Sequence, residues 1–345
     1  MPKKAKAKKV APKKVLENKK EKVVENLLDL RDENKEPAVP TKEKKVKKFS
    51  IKKILSIFAI LTILVNLIFA YGIYVAGWTN TWTKTFVKIF PYPAAKVGWS
   101  FVSMNEYYKD LDSFVTYYKT VQKIDFSTDE NKQVLKDLKK DILDRLMDQE
   151  AVSKEAKKMK LSVSKEDIEN EYSRLVKESG EETLKKNIKD YYNWDVKTFK
   201  NEIKKALLQK KLEEAVRKDE TINEKQKKTA EDILTKVNAG EDFANLAKEL
   251  SESTDSTDGG NMGWFAKGTY DESYENQFFN LEKGQISDII QAEEGFEIIK
   301  IEDRKENEIL ARHILIKYVD FKDWLSGKKN EYGTQKFIDT EKVKI

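Results

Sequence analysis

The apolar and polar positions divide the chain into four regimes. Residues 54–76, ILSIFAILTILVNLIFAYGIYVA, carry no charge, and Asn66 is their most polar member. At ~1.5 Å per residue they rise about 34 Å, enough for a ~30 Å hydrocarbon layer with some tilt. Lys52 and Lys53 guard one end, and Trp78 and Trp82 stand at the other, where interfacial aromatics belong. Residues 80–101, with scattered aromatics and a Pro91-Tyr92-Pro93 turn, read as a connector near the membrane surface. From 105 to 217 the period is helical. Val134, Leu135, Leu138, Ile142, Leu143 and Leu146 form one stripe; Val196, Phe199, Ile203, Leu207, Leu208 and Leu212 form another. Ser164 with Glu166-Asp167 opens a helix between them and Ser179-Gly180 closes it. Tyr172, Tyr191, Tyr192 and Trp194 read as core rather than as a ligand site. Helices over 229–238 and 241–250, with Gly240 as the C-cap between them, lead into short strand-like runs.

Composition narrows the chemistry. The chain has 345 residues, no Cys and a single His, His313. Disulfide scaffolds, Cys nucleophiles, Fe–S clusters and zinc sites built on Cys or paired His are therefore excluded. Charged residues make up 37% of the chain against a typical ~25%, which suits charged helical surfaces and not a multi-span membrane protein.

The net charge of +6 is unevenly placed. Residues 1–53 hold 19 basic and 8 acidic residues, so 19 − 8 = +11, which leaves 6 − 11 = −5 for the rest. This tail is too polar to bury a core and is expected to be disordered. It could serve as a nucleic-acid arm. Next to an apolar span, however, it reads as a cytoplasmic segment attracted to anionic lipid, with no nucleic acid expected. A cleaved signal peptide would have a shorter apolar run and a shorter basic lead. The reading is an uncleaved single-pass anchor, N-terminus cytoplasmic and the remainder extracytoplasmic, meeting lipid through 54–76.

Two stretches carry a family resemblance. DILDRLMDQEAVSKEAKKMKLSVSKEDIENEY followed by YNWDVKTFKNEIKKALLQKKLEEAV resembles the N-terminal helical region of the SurA/PrsA-type extracytoplasmic chaperones, over about 131–219. The generic alternative is a charged helical bundle. Further on, GEDFANLAKELSES, GGNMGWF, FNLEKGQIS and GFEIIKIED occur in order at the spacings of the parvulin family of peptidyl-prolyl isomerases. In that family a strand reading ARHILI precedes the first helix. Here Ala311-Arg312-His313-Ile314-Leu315-Ile316 follows the last strand instead. The resemblance therefore implies a circular permutation, with a hairpin joining the family's last strand to its first. A truncated second repeat is the alternative, but too few residues remain for one.

A hairpin centred on Lys305 would pair Glu297 with His313 and Ile299 with Ala311. The family usually has two histidines at the places of Glu297 and His313, so a Glu297–His313 side-chain contact is expected, favouring the imidazolium. A structurally satisfied core histidine is the bland alternative.

The resemblance implies an α+β fold: a disordered tail (1–52), a transmembrane helix (53–78), an all-α chaperone-like domain (79–219), a permuted parvulin-like α+β domain (220–319) and a C-terminal tail (320–345). In the tail Trp324 is expected to pack back on the parvulin-like module. By the same resemblance His313, Glu297 and Ser253 form the catalytic polar side, Ser253 standing where parvulins usually carry Asp or Cys. Met262, Tyr270, Tyr274 and Phe279 form the proline pocket. No metal or cofactor is required. The implied function is a membrane-anchored foldase, a prolyl cis-trans isomerase acting on unfolded proline-containing chains. Ser253, Tyr270 and Glu297 depart from the family pattern, which keeps open a non-catalytic holdase using the same groove.

Overall fold

A computed structural model of the protein describes residues 51–345. The basic tail expected over 1–52 lies outside the described residues except at Ile51 and Lys52. Helix α1 (Ile51–Tyr74) is one continuous apolar helix, long and apolar enough to cross a membrane. The described chain divides within it, into a unit ending at Leu61 and a second unit running from Thr62 to Ile345.

Within the second unit, the expected connector is structured. Helix α2 (Thr81–Ile89) starts where Asn80 accepts the Thr83 amide. Pro91 and Pro93 bar further helix, and the chain instead forms strands β1 (Pro93–Val97) and β2 (Ser100–Ser103), paired antiparallel. Helix α3 (Met104–Thr120) opens on a capping box between Ser103 and Glu106. Four helices follow: α4 (Asp129–Lys158), α5 (Lys165–Ser179), α6 (Glu181–Tyr192) and α7 (Val196–Lys218). Ser164 caps α5 with Asp167 as the sequence suggests, and left-handed Asn193 ends α6. The stripe on α4 is buried as expected at Leu138, Ile142, Leu143 and Leu146.

The aromatics expected in the core do not reach it. Tyr192 stacks between Tyr117 and Trp194, Tyr191 is exposed, and the indole of Trp194 donates to Ser113 Oγ at 2.7 Å. Trp194 thus reaches inward only with its indole N–H, to the buried Ser113, and the stacked rings stay half-buried at the domain surface.

The C-terminal residues are not a tail on the parvulin-like module. Helix α11 (Phe321–Tyr332) and strand β7 (Thr334–Lys336) return to the first core, where β7 pairs with β1. Leu325, Ile338 and Val343 are buried there with Leu143, Met104 and Leu212, and Trp324 packs against the same cluster. The sequence pattern missed this because three strand residues and isolated apolar positions carry no usable period. Val343 O accepts from the buried Lys139 ammonium at 2.6 Å, which satisfies a charge that could not otherwise stay buried.

Between α7 and α11 the chain builds a second core. Helices α8 (Glu224–Asn238) and α9 (Phe243–Leu250) cover one face of a four-stranded antiparallel sheet. Its strands are β3 (Asn261–Ala266), β4 (Ile290–Gln291), β5 (Gly295–Arg304) and β6 (Glu308–Lys317), in the order β3-β6-β5-β4. A four-residue helix, α10 (Glu272–Glu275), lies on the opposite face. Alternation splits the strands: Phe296, Ile298, Ile314 and Ile316 face α8 and α9, while Ile299, Ile301, Ile309 and Ala311 pack with Phe265, Phe278 and Phe279.

Residues 308–317 thus lie alongside 295–304, as the hairpin reading requires, and also alongside 261–266. The register differs from the expected one. His313 is opposite Ile299, Ala311 opposite Ile301, and Leu315 opposite Glu297. The turn centres on Glu306-Asn307 rather than Lys305, with Arg304 opposite Ile309, and a bulge between Ile301 and Asp303 removes one step. The error is two residues, an even number, so every side chain keeps its face.

The two connectors between the cores meet at Asn223, a fully buried residue on the outgoing one. Its Nδ2 donates to the carbonyls of Val216, Arg217 and Asp219 at 2.7, 3.2 and 3.0 Å, and its Oδ1 accepts the returning Val319 amide at 2.9 Å. One side chain therefore caps α7 and ties the outgoing strand of chain to the incoming one.

Candidate functional site

On the sheet face opposite α8 and α9, an open cleft of about 730 Å³ is lined by Ser253, Asp255, Tyr270, Tyr274, Glu297 and His313, among others. His313 lies at its floor on the central strand β6. The backbone there is held by the Gly259-Gly260 turn: both glycines have positive φ, and the His313 amide donates to Gly260 O at 2.8 Å. A Cβ on Gly260 would collide with the His313 carbonyl, so only glycine permits this approach.

The imidazole lies between two carboxylates. Nδ1 is hydrogen-bonded to Glu297 Oε1, and Nε2 lies 2.9 and 3.0 Å from the two oxygens of Asp255. With an acceptor at each nitrogen, the doubly protonated ring satisfies both contacts. Burial, the largest single influence, favours the neutral ring. The hydrogen bonds and charges of Glu297 and then Asp255 together outweigh it and raise the His313 pKa above 6.5. For Asp255, burial works upward, but hydrogen bonds from Ser253 and His313 prevail and hold its carboxyl below the usual value.

The network extends at both ends. The Tyr274 hydroxyl donates to Glu297 Oε2 at 2.5 Å; burial first, then the charge on Glu297, raise its pKa. The Ser253 hydroxyl donates to Asp255 Oδ1, and Ser251 Oγ lies 3.1 Å from Ser253 Oγ. The rings of Tyr270 and Tyr274 meet edge to face at 5.8 Å and form the apolar wall beside this chain of polar groups.

Five of the seven expected site residues meet in this cleft: His313, Glu297, Ser253, Tyr270 and Tyr274. The expected Glu297–His313 contact is present, although the two are diagonal rather than directly opposed. Met262 and Phe279 do not line the cleft. Phe279 is buried beneath it, and Met262 packs against the same aromatic cluster. Phe279, after α10, is enclosed with Ile299 and Ile301, whereas Met262 on β3 stays partly exposed.

Sequence reasoning missed Asp255, which touches the imidazole; Ser253, given the place of the family's Asp or Cys, is bonded to Asp255 instead. The family pattern asked for Asp or Cys near this place, and a shift of two residues within Ser253-Thr254-Asp255 would have found one. It also missed Glu275, a buried carboxylate that accepts the Gly268 and Tyr270 amides at 2.8 Å each. Glu275 thereby pins the loop that presents Tyr270.

Comparison with known proteins gives two family matches. Residues 44–213 match the SurA-like N-terminal domain, and residues 207–303 match the PPIC-type PPIase domain. The second match ends before β6. A foldase protein PrsA of Geobacillus sp. strain WCH70 is 31% identical over 224 residues, which cover 60% of this chain and 79% of that protein. One from Caldanaerobacter subterraneus subsp. tengcongensis is 33% identical over 204 residues, 56% of this chain and 65% of the relative. The match to the PrsA of Bacillus subtilis strain 168 is 37% over 118 residues, 34% of this chain and 36% of that protein.

Proposed function

The chain belongs to the PrsA foldase family, and from that premise we propose that it is a membrane-anchored, extracytoplasmic prolyl cis-trans isomerase with His313, Asp255 and Glu297 as its catalytic centre. The observation that carries this reading is the imidazole held between two carboxylates at the floor of an aromatic-walled cleft.

The chemistry asks for little more. An X–Pro bond rotates over a barrier of ~18–20 kcal/mol because rotation breaks amide resonance. A catalyst gains by binding the twisted amide more tightly than either planar one. The rings of Tyr270 and Tyr274 offer the pyrrolidine an apolar wall. The buried His313–carboxylate network places a fixed field beside the rotating carbonyl, and fixed charges act strongly where water is partly excluded. As the amide twists, its nitrogen regains a lone pair, and the Tyr270 hydroxyl in the cleft wall is a donor within the same space. Glu275 acts here as a positioning residue, through the loop it holds.

We read the sheet as a circular permutation of the parvulin module, with β6 supplying the family's first strand. Its support is the order β3-β6-β5-β4 together with a family match that stops before β6. Helix α1 supports an anchor by length and composition, with the lysine-rich side cytoplasmic. A holdase acting through the same cleft is favoured by one observation: Phe279, expected to grip the proline ring, is buried in the core.

A protease-coupled tetrapeptide assay separates the two. Ile73 and Phe69 of α1 pack in the first core, so the full chain in detergent micelles is the proper sample, not a fragment beginning at 79. Acceleration of cis-trans exchange that is lost in Asp255→Ala and His313→Ala supports the isomerase; an uncatalysed rate for the native chain refutes it.

A further inference from the structure

We propose that helix α2 is sunk into the extracytoplasmic leaflet beside the last turns of α1, with Ile89 against lipid and Trp82 at the lipid–water boundary. This rests on the proposed span through α1 and adds a second membrane-contacting element to it.

The argument begins with length. A ~30 Å hydrocarbon layer takes about 20 helical residues. Counted from Ile54, just after Lys52 and Lys53, such a span reaches Ile73. Yet from Asn66 onward the helix is covered on one side by protein. Tyr92 donates its hydroxyl to Asn66, 2.8 Å from the backbone carbonyl and 2.9 Å from Oδ1. Phe86 stacks on Phe69 at 3.8 Å, and Gly72 and Ile73 are buried. Only 54–65 would remain for lipid if the folded part stood wholly in water, a rise of about 18 Å. That falls about 12 Å short of the layer. Local thinning over such a difference is costly. It would also leave Leu67, Ile68 and Tyr71, each more than half exposed, facing water.

The contacts also fix the direction of α2. Trp78, just before α2, packs against Gly72, Phe86 meets Phe69, Thr83 and Val87 face the core, and the Tyr92 hydroxyl reaches Asn66. Helix α2 therefore descends along α1, from the domain toward the centre of the span. Its outer face carries Trp82, 80% exposed, and Ile89, 69% exposed. Matched to α1 by the Phe69–Phe86 pair, Ile89 lies within the layer and Trp82 near its edge, where tryptophan is favoured. Lys84, near the edge, is bound to Asp112 at 2.7 Å; Lys88, one turn lower, has a stem long enough to reach the headgroups.

The polar group in the run is accounted for by the same arrangement. Asn66 would be costly in hydrocarbon without partners. Its Nδ2 donates to Thr62 O at 2.8 Å and its Oδ1 accepts from Tyr92, so it is satisfied without water. A partner from the folded domain has to be at that depth to provide this.

The sequence has no cysteine, so single cysteines can be placed cleanly. Leu61→Cys, Trp82→Cys, Ile89→Cys and Lys267→Cys are spin-labelled in the full chain and reconstituted in nanodiscs of phosphatidylcholine and phosphatidylglycerol. Collision with oxygen against collision with a water-soluble nickel chelate reports depth. The expected ratio at 89 approaches that at 61 and exceeds that at 267 several-fold, with 82 between. Lys88→Cys reads the same turn should the Ile89 variant not fold. A lipid-like ratio at 61 with a water-like ratio at 89 overturns the proposal while leaving the span intact. Water-like ratios at both positions overturn it together with the span.

Discussion

Replacing Asn223 with alanine removes four hydrogen bonds at the junction of the two cores. The side chain is fully buried, so water does not simply take its place. The Val319 amide loses its acceptor and the end of α7 loses its cap; a buried donor left unpaired costs about 1–3 kcal/mol, and each lost bond adds a share of about 0.5–1.5 kcal/mol. Allowing for relaxation, local opening should become easier by about 2–4 kcal/mol. At about 1.4 kcal/mol per tenfold, the Val319 amide should exchange with deuterium roughly 30- to 1,000-fold faster. Hydrogen-exchange mass spectrometry on peptides spanning 314–325 of the full chain reads this directly. Asn330→Ala, on the exposed side of α11, should leave exchange unchanged. Asn223→Asp keeps an acceptor for Val319 but turns a carboxylate toward three carbonyls, and should be at least as damaging. Exchange within about threefold of the native chain in Asn223→Ala would show that the connectors hold without this residue, and the reasoning from desolvation would fail.

His313 is the only histidine, so its NMR titration is free of overlap. Its pKa should lie above 6.5 and fall in both Glu297→Gln and Asp255→Asn, since each removes a charge that favours the imidazolium. The sign for stability follows: this contribution is complete below about 6.5, the unfolded value, and fades as pH rises through the higher folded value. In the isomerase assay Asp255→Ala should lower kcat/KM at least tenfold more than Ser253→Ala does, because of these two residues Asp255 alone touches the imidazole; equal losses would contradict that assignment. Glu275→Gln should weaken the hold on the Tyr270 loop, raising KM with a smaller effect on kcat and lowering stability by about 1–3 kcal/mol. Ending the chain at 336 removes buried Ile338 and Val343, each worth about 1.5–3 kcal/mol, and leaves Lys139 without Val343 O; melting of the helical core should drop well before that of the second core is affected.

Much of this protein could be read along the chain. Periodicity gave α4 its buried face, and α7 part of one at Ile203 and Leu212, because a helix that packs on one side must repeat its apolar residues every three or four positions. The apolar run of α1 and the glycine-bearing motifs around Gly260 were equally local. The hairpin of β5 and β6 was legible too, and its misjudged centre did no harm because an even slip preserves the face of each side chain. What failed was whatever depended on partners far away. Nothing near Phe321–Val343 announces that these residues complete the first core, since their period is supplied by β1 and α4. Asp255 and Glu275 are ordinary acids in acid-rich segments until a fold brings one to an imidazole and the other to two amides.

The sequence therefore determined the longer helices, the apolar helix and the identity of the chemical groups, all properties fixed by neighbours within a few residues. Tertiary structure alone decided which carboxylates hold His313, where the C-terminal segment docks, and that Tyr92 satisfies Asn66. Burial and hydrogen bonding are settled by whatever atoms the completed fold brings within about 3 Å, and separation along the chain does not report that distance.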